Sequence, residues 1–165
     1  MKQKIVRILH IFIKKFHLEN LIILISNILN LKTWKTLPQN IYYEDSDYKK
    51  ITKDKVIFNV NRSDFTQWQI YANYPEMHFE AFKKTKKGNV IDVGANIGSF
   101  SLKVGKYFND NKIDSKVYAF EPYKKIFKLL KKNLNLNINL RENTVLINQA
   151  IGGYDNENFL INIVK

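Results

Sequence analysis

The chain has 165 residues, 45% of them hydrophobic and 25% charged, a length that suits one folding unit and a composition that excludes intrinsic disorder. It holds no cysteine and 3 histidines, which rules out a disulfide framework, a cysteine nucleophile and thiolate zinc; no metal site is expected, and a cytoplasmic location is the default. Lys+Arg number 27 against 15 Asp+Glu, a net charge of +12, which favours an anionic partner without choosing between nucleic acid, an acidic membrane face and a phosphorylated substrate.

From Met1 to Trp34 the apolar residues Ile5, Ile8, Leu9, Phe12, Ile13 and Phe16 recur at helical spacing between Lys2, Lys4, Arg7, Lys14 and Lys15, so a basic amphipathic helix is expected. The apolar run Leu21 to Ile25 is far short of the roughly 20 residues that span a bilayer. Lys14 and Lys15 break the pattern of a signal peptide. Two readings stay open: helices that pack on the rest of the domain, which is preferred, or an interfacial helix on anionic lipid, a peripheral membrane contact. Pro38 and the polar residues Asp45, Ser46 and Asp47 place a boundary near residues 36–50, dividing a helical basic segment and linker (1–50) from a second domain (51–165).

From Lys55 the pattern turns β-rich, and Val56–Val60 with Phe65–Tyr71 reads as a hairpin around Asn61–Asp64. Trp68, Tyr71 and Tyr74 suit a core or sheet surface better than a base-stacking platform. Pro75 then opens a helix over Glu76–Lys84 with the apolar periodicity Met77, Phe79, Ala81 and Phe82.

The chemistry is carried by Val90-Ile91-Asp92-Val93-Gly94-Ala95-Asn96-Ile97-Gly98-Ser99-Phe100, where a strand expected to be buried on both faces runs into a glycine-punctuated turn and a helix with Phe100, Val104 and Phe108 in register. Gly94 allows a tight turn, Asn96 tolerates left-handed backbone, and Gly98 permits close approach of helix to ligand. The helix start offers free N–H groups to a carboxylate or phosphate. The dinucleotide fingerprint G-x-G-x-x-G fails, because its second and third glycines fall on Asn96 and Ser99. A second strand, Lys116–Phe120, ends in Glu121, and an acid placed there, roughly 20 residues past the turn, suits the hydroxyls of a ribose. Pro122 begins a helix with Ile126, Phe127, Leu130 and Leu134 inward and Lys124, Lys125, Lys128, Lys131 and Lys132 on a solvated face. A third strand covers Thr144–Gln149, and Phe159–Val164 offers another. The β-α-β-α-β order predicts a parallel Rossmann-like half.

Asp92-Val93-Gly94-Ala95-Asn96-Ile97-Gly98, Ala119-Phe120-Glu121-Pro122 and the helix ending Asn133-Leu134-Asn135-Leu136-Asn137 resemble the first motif, the second motif and the lysine- and asparagine-rich helix of the FkbM family of S-adenosylmethionine-dependent methyltransferases. The resemblance covers roughly residues 56–164, and Phe79-Glu80 is similar to an aromatic-Glu pair before the first motif. It implies an α/β, Rossmann-like class I methyltransferase fold, incomplete with three core parallel strands and preceded by a β-hairpin and N-terminal amphipathic helices. It implies S-adenosyl-L-methionine as cofactor, with Gly94, Ala95, Asn96 and Gly98 at its methionine end, Asp92 organising the turn, Glu121 on the ribose, Pro122 and Tyr123 beside the adenosine, and Asn148, Gln149 and Ala150 approaching the adenine. Glu80 would support the methionine moiety.

The implied activity is O-methylation of a sugar or other small-molecule or glycan acceptor. Against the family pattern, the sequence ends at Lys165 after three core strands and has Gly153 where an acid is common. The expectations are therefore a missing acceptor half, no identifiable catalytic base, weak turnover, and an open sheet edge through which the chain would form a homo-oligomer. The alternative is a non-catalytic basic module on anionic membrane or nucleic acid, nucleic acid being the less favoured partner.

Overall fold

The computed structural model describes residues 8, 11–13, 15–30, 48–74, 76–85 and 88–152. The proposed linker around Pro38, Pro75 itself, Gly153 and the further strand at 159–164 lie outside them. The chain separates into two compact units, one of Met1–Lys50 with Val60–Tyr74 and one of Ile51–Asn59 with Pro75–Lys165.

In the first unit, helix α1 (Glu19–Ile28) buries Glu19, Ile23 and Ser26, one stripe at i, i+4, i+7. Ile23 packs on Trp68, Ala72 and Tyr71. Beside this apolar contact, Arg62 Nη1 stands 3.5 Å from Glu19 Oε1 and carries its guanidinium 5.3 Å from the Tyr71 ring centre. The Tyr71 hydroxyl donates to Asn20 Oδ1 at 2.8 Å. Among the described residues no helix is long and apolar enough to cross a membrane.

Residues 65–71 depart from the expected hairpin. Strands β1 (Tyr48–Lys53) and β2 (Val56–Asn61) pair with each other, whereas Phe65–Tyr71 forms helix α2. The turn between the strands is Asp54-Lys55, both at positive φ (51° and 62°), the two-residue arrangement that matches the twist of a hairpin. Helix α2 starts because Asp64 caps it, its carboxylate accepting from the Gln67 N–H at 2.9 Å while Gln67 Oε1 reaches back to the Asn61 N–H at 2.7 Å. That is a variant of the reciprocal capping box, with aspartate at the cap and glutamine three residues on. Trp68 is therefore core of a helical unit, fully buried, rather than part of a strand.

In the second unit, helix α3 (Met77–Thr85) leads to strand β3 (Val90–Val93), helix α4 (Ser99–Asp110), strand β4 (Val117–Phe120), helix α5 (Lys124–Asn135), a 3-10 turn (Ile138–Leu140) and strand β5 (Thr144–Ile147). The strands form one parallel sheet in the order β3-β4-β5, with Val90, Val117 and Thr144 in one register row and Val93, Phe120 and Ile147 in another. This is the incomplete Rossmann-like α/β architecture that the sequence predicted.

Parallel strands joined through helices have a fixed handedness, so two successive crossovers stepping the same way lay both helices on one face of the sheet. On that face Val104 and Phe108 of α4 meet Val117 and, with Phe82 of α3, Val90, while Leu130 and Phe127 of α5 meet Ala95, Ala119 and Leu146. The opposite face carries Ile91 and Val93, which are 65% and 62% exposed. The expectation that β3 is buried on both faces is thus corrected: among the described residues only one face is covered.

Two asparagines tie the hairpin to this layer. Asn137 Oδ1 accepts from the Ile57 N–H at 2.9 Å, and its Nδ2 donates to the Ile57 carbonyl at 2.7 Å and the Asn133 carbonyl at 2.8 Å. Asn133, one turn earlier, accepts from the Asn59 N–H at 2.8 Å and donates to the Ile97 carbonyl at 3.0 Å. The side-chain amides stand where a neighbouring strand's peptide groups would pair with β2. Asn133→Ala removes the partners of one backbone donor and one carbonyl together, and is expected to cost about 1–3 kcal/mol of unfolding free energy, read from urea denaturation; Asn135→Ala, at an exposed position on the same helix, is expected to leave the midpoint within error.

Candidate functional site

The carboxyl ends of adjacent parallel strands converge, and a βαβ unit leaves a crevice there. Here the Gly94 and Ala95 N–H groups both donate to the Phe120 carbonyl at 2.9 Å, which locks the turn after β3 onto the end of β4. Gly94 has φ +80°, and a Cβ added to it would meet nothing within 4 Å. Glycine is required for the backbone angle, and its surroundings are open.

Asn96, also left-handed (φ 50°), gives its N–H to Glu121 Oε2 at 3.0 Å. The other Glu121 oxygen accepts from the Tyr123 N–H at 2.8 Å. Glu121 is buried, and a carboxylate removed from water needs such donors. Each of its oxygens retains a lone pair for a further donor such as a hydroxyl. Beside the same turn, Asn96 Oδ1 is buried and has no hydrogen-bond partner.

Asp92, on the helix-covered face of β3, accepts a short hydrogen bond from the Ser101 hydroxyl. Burial pushes its carboxyl above the ordinary aspartate value, opposed by the Ser101 hydrogen bond and by His78. Gly98 is the N-cap of α4 at φ +89°, and a Cβ there would lie 2.5 Å from Leu130 Cδ1 and 3.1 Å from Leu102 Cγ. The volume that Gly98 leaves open is filled by the chain's own leucines, so the missing Cβ serves helix packing.

Asn148 Nδ2 donates to the Glu121 carbonyl at 2.7 Å and the Pro122 carbonyl at 3.1 Å, which pins the loop after β4 to the end of β5. Gln149 and Ala150 follow it, exposed. The structure therefore brings Gly94, Ala95, Asn96, Glu121 and Pro122 to one place, with Asn148 against the same loop. Glu80 is elsewhere, on the solvent side of α3, paired with Lys83 at 2.6 Å.

The acid that reaches the start of α4 is Glu76, which the sequence reading passed over. Its Oε1 accepts from the Ser99 hydroxyl, in the first turn of α4, and lies 3.2 Å from Lys103 Nζ and 3.8 Å from Lys53 Nζ; its Oε2 is buried with no hydrogen-bond partner. Lys103 is itself buried, pairs with Asp54 at 2.7 Å and lies over the Phe79 ring at 5.8 Å. Burial and the neighbouring Lys103 hold Lys53 below the usual lysine value, and the Lys103 hydrogen bond holds Asp54 below the usual carboxylate value. The available signal was Glu76 beside Pro75 just before a helix; Lys103 gave none, because a lysine between Leu102 and Val104 reads as solvated.

No protein-family model matches the chain, and no curated protein matches it. Among solved structures, one from Pyrococcus horikoshii described as "putative transferase PH0793" is similar at 17% identity and a TM-score of 0.47, over 73% of this chain and 50% of its own. The chain thus spans half the length of that protein.

Two outcomes test this geometry. Gly98→Ala forces a left-handed alanine against Leu130 and is expected to destabilise the fold by about 1–3 kcal/mol, by thermal or urea unfolding. Because the folded state holds the Asp92 proton more tightly than the unfolded state, the aspartate's contribution to stability falls as pH rises from the ordinary aspartate value through the raised folded one. Asp92→Asn is expected to flatten that part of the stability-pH profile and to raise stability at pH 7; an unchanged profile would show that burial does not penalise this carboxylate.

Proposed function

We propose that the second unit is the cofactor-binding part of an S-adenosylmethionine-dependent methyltransferase of FkbM type, acting on a hydroxyl of a sugar or other small molecule. The observation that carries this reading is the 3.0 Å hydrogen bond from the Asn96 N–H to the Glu121 carboxylate. It joins the glycine turn of one strand to the acid of the next, the two features that the family motifs set apart in sequence.

The residues present fit the cofactor. The open space at Gly94 accommodates a ligand against the backbone. Glu121 has acceptor capacity for the ribose hydroxyls, a charge-assisted interaction stronger than a neutral hydrogen bond. The buried, unpartnered Asn96 Oδ1 and Glu76 Oε2 suit an ammonium group such as the one on the methionine moiety, since a buried acceptor without a donor carries a cost that such a group relieves. Pro122 and Tyr123 would flank the adenosine, and Gln149 and Ala150 would border the adenine.

When bound, the cofactor supplies an electrophilic methyl on a sulfonium. Transfer from it depends mainly on positioning, with a general base where the acceptor is a hydroxyl. Glu121 and the turn after β3 would hold and orient the cofactor.

Isothermal titration with S-adenosylhomocysteine tests the reading. The wild type is expected to bind, and Glu121→Gln, which keeps an acceptor for the Asn96 or Tyr123 N–H, is expected to bind at least about ten-fold more weakly with unfolding still cooperative. Absence of heat at millimolar ligand, equal affinity in the variant, or equal binding of NADH would sink it.

A further inference from the structure

Helix α1 buries a mixed side and leaves a fully apolar one in solvent. Glu19, Ile23 and Ser26 face the first unit's core, while Leu21, Leu24, Ile25 and Ile28 form a second stripe at i, i+3, i+4, i+7 that is between 36% and 71% exposed. The described residues just before it also leave apolar side chains in solvent. Ile13 is buried, whereas Ile8, Ile11, Phe12 and Phe16 are all more than half exposed. Large aliphatic and aromatic side chains exposed together in this way are costly to leave in water and mark an interaction surface.

Charge selects the occupant. Residues 1–18 contain Lys2, Lys4, Arg7, Lys14 and Lys15 and no Asp or Glu. The first acid, Glu19, is buried against Arg62 and so presents no negative charge to a partner. A second copy docking stripe to stripe would set one basic segment against another with no acid to answer it. A nucleic acid would satisfy the lysines and leave the isoleucines and leucines in water. An anionic bilayer satisfies both, taking the apolar stripe into the acyl boundary and the lysines among the headgroups. With no helix among the described residues long and apolar enough to cross, the segment would lie along the surface.

We infer that the exposed apolar side chains of α1 and of the described residues just before it form a peripheral docking surface for membranes rich in anionic lipid. The inference stands on the first unit alone and does not depend on what the second unit binds. The bilayer holds the chain through apolar insertion and lysine attraction together, so neither suffices alone.

The test is co-sedimentation of the full chain with vesicles of phosphatidylcholine, with or without about 30% phosphatidylglycerol, at low and high salt. Partitioning onto the anionic vesicles is expected, at least about ten-fold stronger than onto neutral ones and weakened by salt. Leu24→Ser with Ile28→Ser, and separately Lys14→Glu with Lys15→Glu, are each expected to lower it at least about ten-fold. Far-UV circular dichroism checks that the helices remain; if the serine pair loses them, the glutamate pair decides. No partitioning onto anionic vesicles, equal partitioning onto neutral ones, no loss in the glutamate pair, or a stripe-dependent dimer in sedimentation equilibrium would each overturn the inference.

Discussion

A carboxylate taken out of water at the end of a strand has to be met by donors, and the way Glu121 is met organises the second unit. Its two oxygens accept from the Asn96 and Tyr123 backbone N–H groups. One bond reaches back to the turn after β3, and the other starts the segment that becomes α5. For Asn96 to present its N–H, the turn must pass through left-handed backbone at Gly94 and Asn96, which places those residue types where side chains with a branched Cβ would be strained. The glycine turn and the acid are therefore two halves of one hydrogen-bonded structure rather than two independent motifs.

Asparagines at the end of α5 and just beyond it extend that structure outward. Asn133 bonds the Ile97 carbonyl inside the turn and the Asn59 N–H of the hairpin, and Asn137 pairs both peptide groups of Ile57. A strand edge that would otherwise stand unpaired is closed by one side chain from the last turn of α5 and one from the segment just after it. On the opposite side of the turn, Glu76, Ser99 and Lys103 join the start of α4 to the segment before α3. The turn is thus braced from two directions by polar contacts, while Gly98 lets Leu130 close underneath. Such bracing suits a loop that must hold its shape around a ligand.

The first unit uses a different logic. Among its described residues, Ile23, Trp68 and Ala72 pack together beside the buried Arg62 and Glu19 pair. Removing the guanidinium would leave the Glu19 carboxylate in a dry setting. Helix α1 keeps an apolar stripe exposed, and the residues before it are basic.

By itself the sequence determined the order of the second unit's strands and helices, the turn after β3 and the acid after β4, because these are local: apolar runs bounded by glycine, proline and asparagine mark them within a few residues. It misplaced the hairpin, since Phe65–Tyr71 is apolar and aromatic enough to read as strand and only the Asp64 and Gln67 cap decides for helix. Tertiary structure alone decided that one face of β3 is uncovered, that Gly98 serves Leu130, and that Glu76 rather than Glu80 reaches α4. Each of these depends on which surface lies across from a residue, and that partner is tens of positions away along the chain, where no local pattern records it.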